Sequence, residues 1–285
     1  MLTHIEKLVK KADNKNFALG AFNTHNLEFT KAIIRAGERE KSSLIIQVSE
    51  TSLNYMGVQN IFNLVKNISQ DKDSLVALHL DHGKDFSNIK KCIKAGFSSV
   101  MIDGSNLSFK ENVNITKKVV DYAHEKGVWV QGELGRVIKS SEIEEFKKNP
   151  QSFYTKPDKA KEFVKKTNLD TLAVSIGNIH GVYKLKNKPP EISIKRLKEI
   201  KNKINIPFVL HGASKLPEDS ILAAIQNGVR IINIDTELRQ AFKNGLDEVL
   251  ADKNEFDPRK ILGRAGQNVF GVVRSKINLF HSNKN

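Results

Sequence analysis

The sequence predicts an α/β fold, a (β/α)8 TIM barrel in a single domain, and three observations carry that expectation. Short β-branched runs alternate with longer charged segments of helical period, the pattern of repeated βα units on a parallel sheet. Eight such runs can be counted in 285 residues, a length that suits one barrel. The residues able to do chemistry fall repeatedly just after these runs, and in a barrel those positions share one face. An open, doubly wound sheet shows the same alternation, but eight regular repeats favour closure.

In chain order, strands are expected at Phe17–Phe22, Ser43–Ser49, Leu75–Leu80, Ser98–Ile102, Val128–Gln131, Thr171–Ile176, Phe208–Leu210 and Arg230–Ile234. Helices are expected between them at 27–40, 57–70, 86–95, 109–126, 158–167, 193–202 and 217–227. The segment 135–157 reads as irregular, and a shorter polar piece follows at 184–191. A long loop in a compact domain is usually a lid or a binding element. The tail is read as an additional helix near 264–276, so residues 1–285 form one barrel with a helical segment at about 257–285.

Composition narrows the functional classes. Hydrophobic residues make up 39% of the chain, enough for a full core. The single cysteine, Cys92, excludes an intrachain disulfide and a thiolate cluster, so a metal site has to use histidines and carboxylates. Lys and Arg number 46 against 32 Asp and Glu, a formal charge of +14. The lysines of 193–203 sit at helical spacing without interleaved aromatics, so the excess reads as a solvated surface that can draw in a small polyanion, with no nucleic-acid partner. No signal-peptide run opens the chain and no stretch approaches the roughly 18 to 20 apolar residues of a membrane span, so a soluble, cytoplasmic protein is expected.

The ends of the expected strands carry the informative residues. The third runs into Asp81-His82-Gly83, the fourth into Asp103-Gly104-Ser105, the fifth into Glu133 and the sixth into Gly177-Asn178-Ile179-His180-Gly181. The seventh runs into His211-Gly212-Ala213-Ser214 and the eighth into Asn233-Ile234-Asp235-Thr236. His82, His180 and His211 can supply three nitrogens to one zinc and leave a position open for substrate. Each alone is more often a hydrogen-bonding or capping residue, and only convergence alters that. Gly181, Gly212 and Ser214 would let backbone N–H groups approach an anion, with Lys184 adding a charge; the plainer reading of such glycines is a turn. His79 lies inside a strand and His4, His124 and His281 read as surface residues, while His25, just after the first strand, is left open.

Together these motifs resemble the class II fructose-bisphosphate and tagatose-bisphosphate aldolases along nearly the whole chain. The matching segments are GAFNTHNLE (20–28), ALHLDHG (77–83), GFSSVMIDGS (96–105), GELG (132–135), LAVSIGNIHGVYK (172–184), FVLHGAS (208–214), INIDTELR (232–239) and FDPRK (256–260). The resemblance implies that His82, His180 and His211 hold a catalytic zinc ion, with a second metal or a monovalent cation also conceivable. Asp81 would be the acid/base for the C4 hydroxyl, and Asp103 and Glu133 would lie near the metal as supports or alternative ligands. Gly181, Lys184, Gly212, Ser214, Asn233 and Thr236 would bind the dihydroxyacetone phosphate end, and Asn23 would touch substrate. Asp235 resembles the fructose type, where the tagatose type tends to have Ala, although VVRSKIN (272–278) looks more like the tagatose type. Arg239 matches an arginine that reaches the distal phosphate across a subunit interface in some members, which implies a homodimer or homotetramer. The expected activity is reversible cleavage of a sugar bisphosphate to triose phosphates.

Two departures from the family pattern stand out. After GELG the family usually continues through Gly-Gly to an acidic pair whose glutamate is the second acid/base; here Ile138 and Lys139 take the Gly-Gly places and Ser141 the glutamate place. Glu142, with Glu144 and Glu145 nearby, is the candidate substitute, although a one-residue offset can turn a side chain away. Gln131 stands where an acidic residue is often found, two places before Glu133. An ordinary fructose enzyme, a tagatose or other ketose-bisphosphate enzyme, and a degenerate barrel that only binds ligand are the readings left open.

Overall fold

The computed structural model describes residues 1–138, 140–181 and 191–283. Eight strands, β1 (Leu19–Asn23), β2 (Leu44–Ser49), β3 (Val76–Gly83), β4 (Ser99–Ile102), β5 (Trp129–Leu134), β6 (Thr171–Val174), β7 (Phe208–Leu210) and β8 (Val229–Ile234), close into a barrel in chain order. Every pairing is parallel, and β8 returns to β1 through Leu19 opposite Ile231 and Ala21 opposite Asn233. Closure, as expected from the repeats, puts all eight C-terminal strand ends on one rim.

The helices among the described residues are α1 (Ile5–Lys15), α2 (Leu27–Arg39), α3 (Glu50–Met56), α4 (Val58–Ser69), α5 (Phe86–Ala95), α6 (Phe109–His124), α7 (Ile143–Lys148), α8 (Pro157–Thr167), α9 (Ile194–Lys201), α10 (Glu218–Gln226), α11 (Thr236–Leu250) and α12 (Pro258–Leu279). Each expected helix is present within a residue or two. No helix is expected from the sequence at α1, α3, α7 or α11, and α12 is longer than the helix expected at 264–276.

Strand alternation divides the core in two. Phe22, Leu44, Ile46, Val48, Leu78 and Leu80 pack outward under the helices. Leu19, Ala21, Ile45, Ala77, Ala173, Val209 and Ile231 instead meet Ile5, Leu8, Val9 and Ala12 of α1 in a separate cluster. Those α1 positions recur at helical spacing, so the helix lays one apolar face across the N-terminal mouth of the barrel. The interior at this end is therefore plugged with hydrocarbon.

The stretch 135–157 carries more structure than its sequence suggests. A 3-10 turn at Ser140–Glu142, α7 and a second turn at Pro150–Ser152 fold over a small cluster of Ile138, Phe153 and Ile179, with Ile143 and Phe146 against it. Ile138 bridges Ile179 as an isolated β-pair, and its carbonyl accepts from His180 N–H at 2.8 Å.

At Gly245 of α11 an added Cβ would come within 2.7 Å of Ala265 Cα and 3.0 Å of Arg264 O on α12. Overpacking of this kind costs about 1–3 kcal/mol, against about 1 kcal/mol gained in helix propensity. Gly245→Ala is therefore expected to lower the unfolding temperature; an unchanged or higher value would show that the two helices part without cost.

Candidate active site

The bulge in β3 decides what faces the rim. Register against β4 shifts between Leu80 and Gly83, and His82 adopts φ 47°, a left-handed conformation uncommon for a residue with a side chain. Successive strand residues normally point to opposite faces. The bulge instead lets neighbouring Asp81 and His82 line one cleft. Gly83 permits it, since a Cβ there would lie 2.5 Å from Met101 O.

That cleft, of about 420 Å³, is lined by Asn23, Asp81, His82, His180, Gly181, His211, Gly212, Ser214, Asn233, Asp235, Thr236 and Arg239, together with Gln47 and Ser49. A smaller cleft of about 280 Å³ adjoins it and takes in His82, His180, Asp103, Glu133 and Arg136. Almost every site residue expected from the sequence is thus gathered at one end of the barrel. Lys184 lies outside the described residues. A larger groove of about 850 Å³ at Met1–His4 and Lys126–Val128 brings no comparable set of catalytic groups together.

The three histidines converge. Their ring centroids are 5.2 Å apart for His82 and His180, 4.6 Å for His82 and His211, and 5.9 Å for His180 and His211. Ligand atoms of all three lie within 4.8 Å of one another, and His82 forms a second such group with Asp103 and Glu133. His82 Nδ1 is held by Asp103 Oδ2 at 2.9 Å, and His211 Nε2 by Gln131 Oε1 at 2.9 Å. Asp103 is fixed in turn by Ser105, whose backbone N–H and hydroxyl both donate to Oδ1. The rings of His82 and His211 are therefore pinned by their outer nitrogens, and the inner ones, His82 Nε2 and His211 Nδ1, face each other at 2.9 Å. Two lone pairs cannot face each other at that distance without a proton or a cation between them.

The electrostatics agree with that arrangement. Burial alone would lower the pKa of His82, but the charge of Asp81, the hydrogen bond of Asp103 and the charge of Glu133 outweigh it and raise the pKa to about 10. Burial and the neighbouring His82 lower His180 to about 4, and they hold His211 well below its usual value. Burial, joined by repulsion from Asp103, raises Glu133 to about 8, and its Oε2 has no hydrogen-bond partner among the described residues. The raised pKa of His82 favours a proton in the place between the rings. Two neutral imidazoles, a third that can surrender its proton and an unpartnered buried carboxylate oxygen fit a divalent cation.

Asp81 is clamped from both sides. Asn23 Nδ2 donates to Oδ2 at 3.0 Å and Asn233 Nδ2 to Oδ1 at 3.3 Å, and Gln47 Nε2 holds Asn23 Oδ1 at 2.6 Å. Its carboxylate stays 4.0 Å from His82 Nε2, beside the histidine cluster. Glu142 stands apart. It ends the 3-10 turn before α7 with its carboxylate 3.6 Å from Arg136 Nε, and the linings of the two clefts include Arg136 but not Glu142.

The sequence model of the fructose-bisphosphate aldolase class-II family matches residues 3–285. The chain belongs to this family. It is similar to the fructose-bisphosphate aldolase of Geobacillus stearothermophilus, 40% identical over 99% of this chain and 97% of that protein. The fructose-bisphosphate aldolase of Staphylococcus aureus (strain Mu50) is also 40% identical, over 98% of this chain and 97% of that one. Among solved structures, the YdjI aldolase of Escherichia coli K12 superposes with a TM-score of 0.87 at 32% identity, covering 99% of this chain and 98% of that one. As a class II aldolase the protein is a lyase, of a family that acts on sugar phosphates and depends in general on zinc.

Sequence reading missed two features of the site. His25, left open there, reaches Asp235 Oδ1 through Nε2 at 2.8 Å. Gln131, seen only as a departure, orients His211.

The shifted groups set a pH dependence for the metal-free protein. Glu133 keeps a proton in the folded state up to about 8 and His82 up to about 10, both above their unfolded values. Above pH 7 the folded state thus holds more protons than the unfolded one, so stability falls as pH rises toward 10. Below 6.5 the lowered His180 and His211 act with the opposite sign. The unfolding temperature of chelator-treated protein is expected to drop between pH 7 and 10 and to be restored by zinc. A flat profile would contradict the charge arrangement around His82.

Proposed function

We propose that the protein cleaves fructose 1,6-bisphosphate reversibly to dihydroxyacetone phosphate and glyceraldehyde 3-phosphate, with zinc held by His82, His180 and His211. The observation that carries this reading is the meeting of three histidines, two of them pinned, and a clamped Asp81 in one cleft, within a chain matched by the family over 3–285. Asp103 and Glu133 support the metal or give it a second position. When bound, zinc supplies Lewis-acid polarisation of the C2 carbonyl.

Asp81 takes the proton of the C4 hydroxyl. As the C3–C4 bond breaks, its electrons pass into the enediolate of dihydroxyacetone phosphate and the aldehyde leaves. Asn23 and Asn233 fix the direction of the carboxylate throughout, a positioning effect that needs no movement at the moment of reaction. At the phosphate end stand Gly181 and Gly212, whose φ of 84° and 61° turn the chain in a way open to glycine, with Ser214, Asn233 and Thr236 and, by the family pattern, Lys184. Asp235 reads the C4 configuration in favour of fructose, and Arg239 serves the distal phosphate in a homodimer or homotetramer working in the cytoplasm.

Chelator-sensitive release of triose phosphate, faster from fructose than from tagatose 1,6-bisphosphate, is the expected result with zinc-loaded protein. Asp81→Ala should keep zinc and lose cleavage, whereas His180→Ala should lose both. Wild-type cleavage that survives exhaustive chelation would rule out the zinc role.

The second acid/base is assigned to Glu142, which has to part from Arg136 to reach C3. Glu142→Gln is expected to slow exchange of the C3 hydrogen of dihydroxyacetone phosphate in heavy water by about two orders of magnitude. Equal exchange in both proteins would move the role to another group.

A further inference from the structure

Asp235 sits at the N-cap of α11 yet does not cap it: no side-chain hydrogen bond closes the first turn. This breaks a strong local preference, since an aspartate there normally accepts from the backbone amides two or three residues on. Departures from local rules concentrate at functional sites. Both oxygens are engaged elsewhere, Oδ1 by His25 Nε2 at 2.8 Å and Oδ2 by Arg239 Nε at 3.1 Å. Arg239 is more than half exposed and comes from the same helix, so it follows Asp235 rather than fixing it.

His25 is anchored in a way that Arg239 is not. Its backbone lies between Thr24, whose amide bonds Gln47 O at 3.0 Å, and Asn26, which caps α2 through Phe29 N–H. Its ring packs edge-on against Phe29 with centroids 5.0 Å apart, and Nδ1 lies 3.0 Å from Ser52 Oγ. A carboxylate can only accept, so Nε2 carries the hydrogen toward Asp235. Nδ1 is left to pair with Ser52 Oγ, which also accepts from Ser49 Oγ of the cleft lining at 3.4 Å.

We infer that His25 is a positioning residue for sugar discrimination: it holds the Asp235 carboxylate off the first turn of α11 and turned to the cleft. This rests on the proposed role of Asp235. The arrangement has two effects. The Oδ2 edge, shared only with the exposed Arg239, stays directed at the sugar, and the amide end of α11 keeps its partial positive charge for an anionic group of the ligand. With the imidazole removed, the carboxylate is free to fold back onto those amides, where it repels phosphate and no longer meets the C4 hydroxyl.

The test is a double-mutant cycle of His25→Ala and Asp235→Ala, reading kcat and KM on fructose and tagatose 1,6-bisphosphate, with thermal unfolding of each variant as a control. His25→Ala is expected to lower kcat/KM for fructose 1,6-bisphosphate about tenfold, the scale of one hydrogen bond to a charged group, and to move the fructose-to-tagatose ratio toward one. The double variant should be no less selective than Asp235→Ala alone, because both remove the same contact. His25→Gln, which retains a donor, should recover part of the ratio, an effect that a merely structural role would not give. If Asp235→Ala shifts the ratio while His25→Ala leaves it unchanged, or if the two effects multiply, this inference falls and the role of Asp235 stands. A ratio unmoved by Asp235→Ala overturns both.

Discussion

The site depends on one irregularity, the bulge that ends β3. Regular alternation would send one of Asp81 and His82 into the helix layer, where neither a charge nor an imidazole has a partner. The left-handed turn at His82 costs backbone energy and is held because Gly83 tolerates the close approach of Met101 O and Asp103 seizes the ring. A buried carboxylate and a histidine of the cluster thereby stand on adjacent residues, yet the carboxylate is turned to the asparagines and not into the histidine cluster. Distance between those two groups is set by one peptide unit, the least variable spacing a protein can offer.

Around that point the barrel sorts charge by burial. Three carboxylates, Asp81, Asp103 and Glu133, surround His82, whereas His180 and His211 are kept neutral. The asymmetry gives one location in the cluster where a positive charge is stabilised. Gln131 preserves the orientation of His211 without adding negative charge, so its replacement of an acidic residue alters the electrostatics more than the geometry. That distinction matters because the tautomer of a ligand histidine is set by its outer hydrogen bond, which an amide oxygen accepts as a carboxylate does.

The barrel was legible from period alone, since eight β-branched runs bounded by polar turns leave few other ways to bury their faces. The gathering of chemistry at one rim was legible for the same reason: once the strands close, position after a strand becomes position in space. What escaped were contacts made across the chain. His25 meets Asp235 from 210 residues away, and Gln131 meets His211 from 80. No spacing rule links such pairs. The helix α11 was hidden by a different cause: it starts directly on Thr236 at the end of β8, so its first residues had already been read as site motif. The turns within 135–157 depend on burying Phe153 against Ile138 and Ile179, a packing event that propensity does not report.

That small cluster also explains how the altered loop relates to the rest of the site. Ile138, where the family usually has glycine, is fully buried, and its carbonyl receives the amide of His180. The backbone at that place therefore supports the backbone of His180, while the side chain is buried against Phe153 and Ile179. The same segment commits Arg136 to Glu142 and to Glu145 at 2.9 Å, with its guanidinium stacked 4.3 Å from the Phe153 ring. The packing of Ile138 and Phe153 thus fixes the loop that holds Glu142 beside Arg136. One loop therefore braces the backbone of His180 on one side and holds the Glu142 carboxylate beside Arg136 on the other.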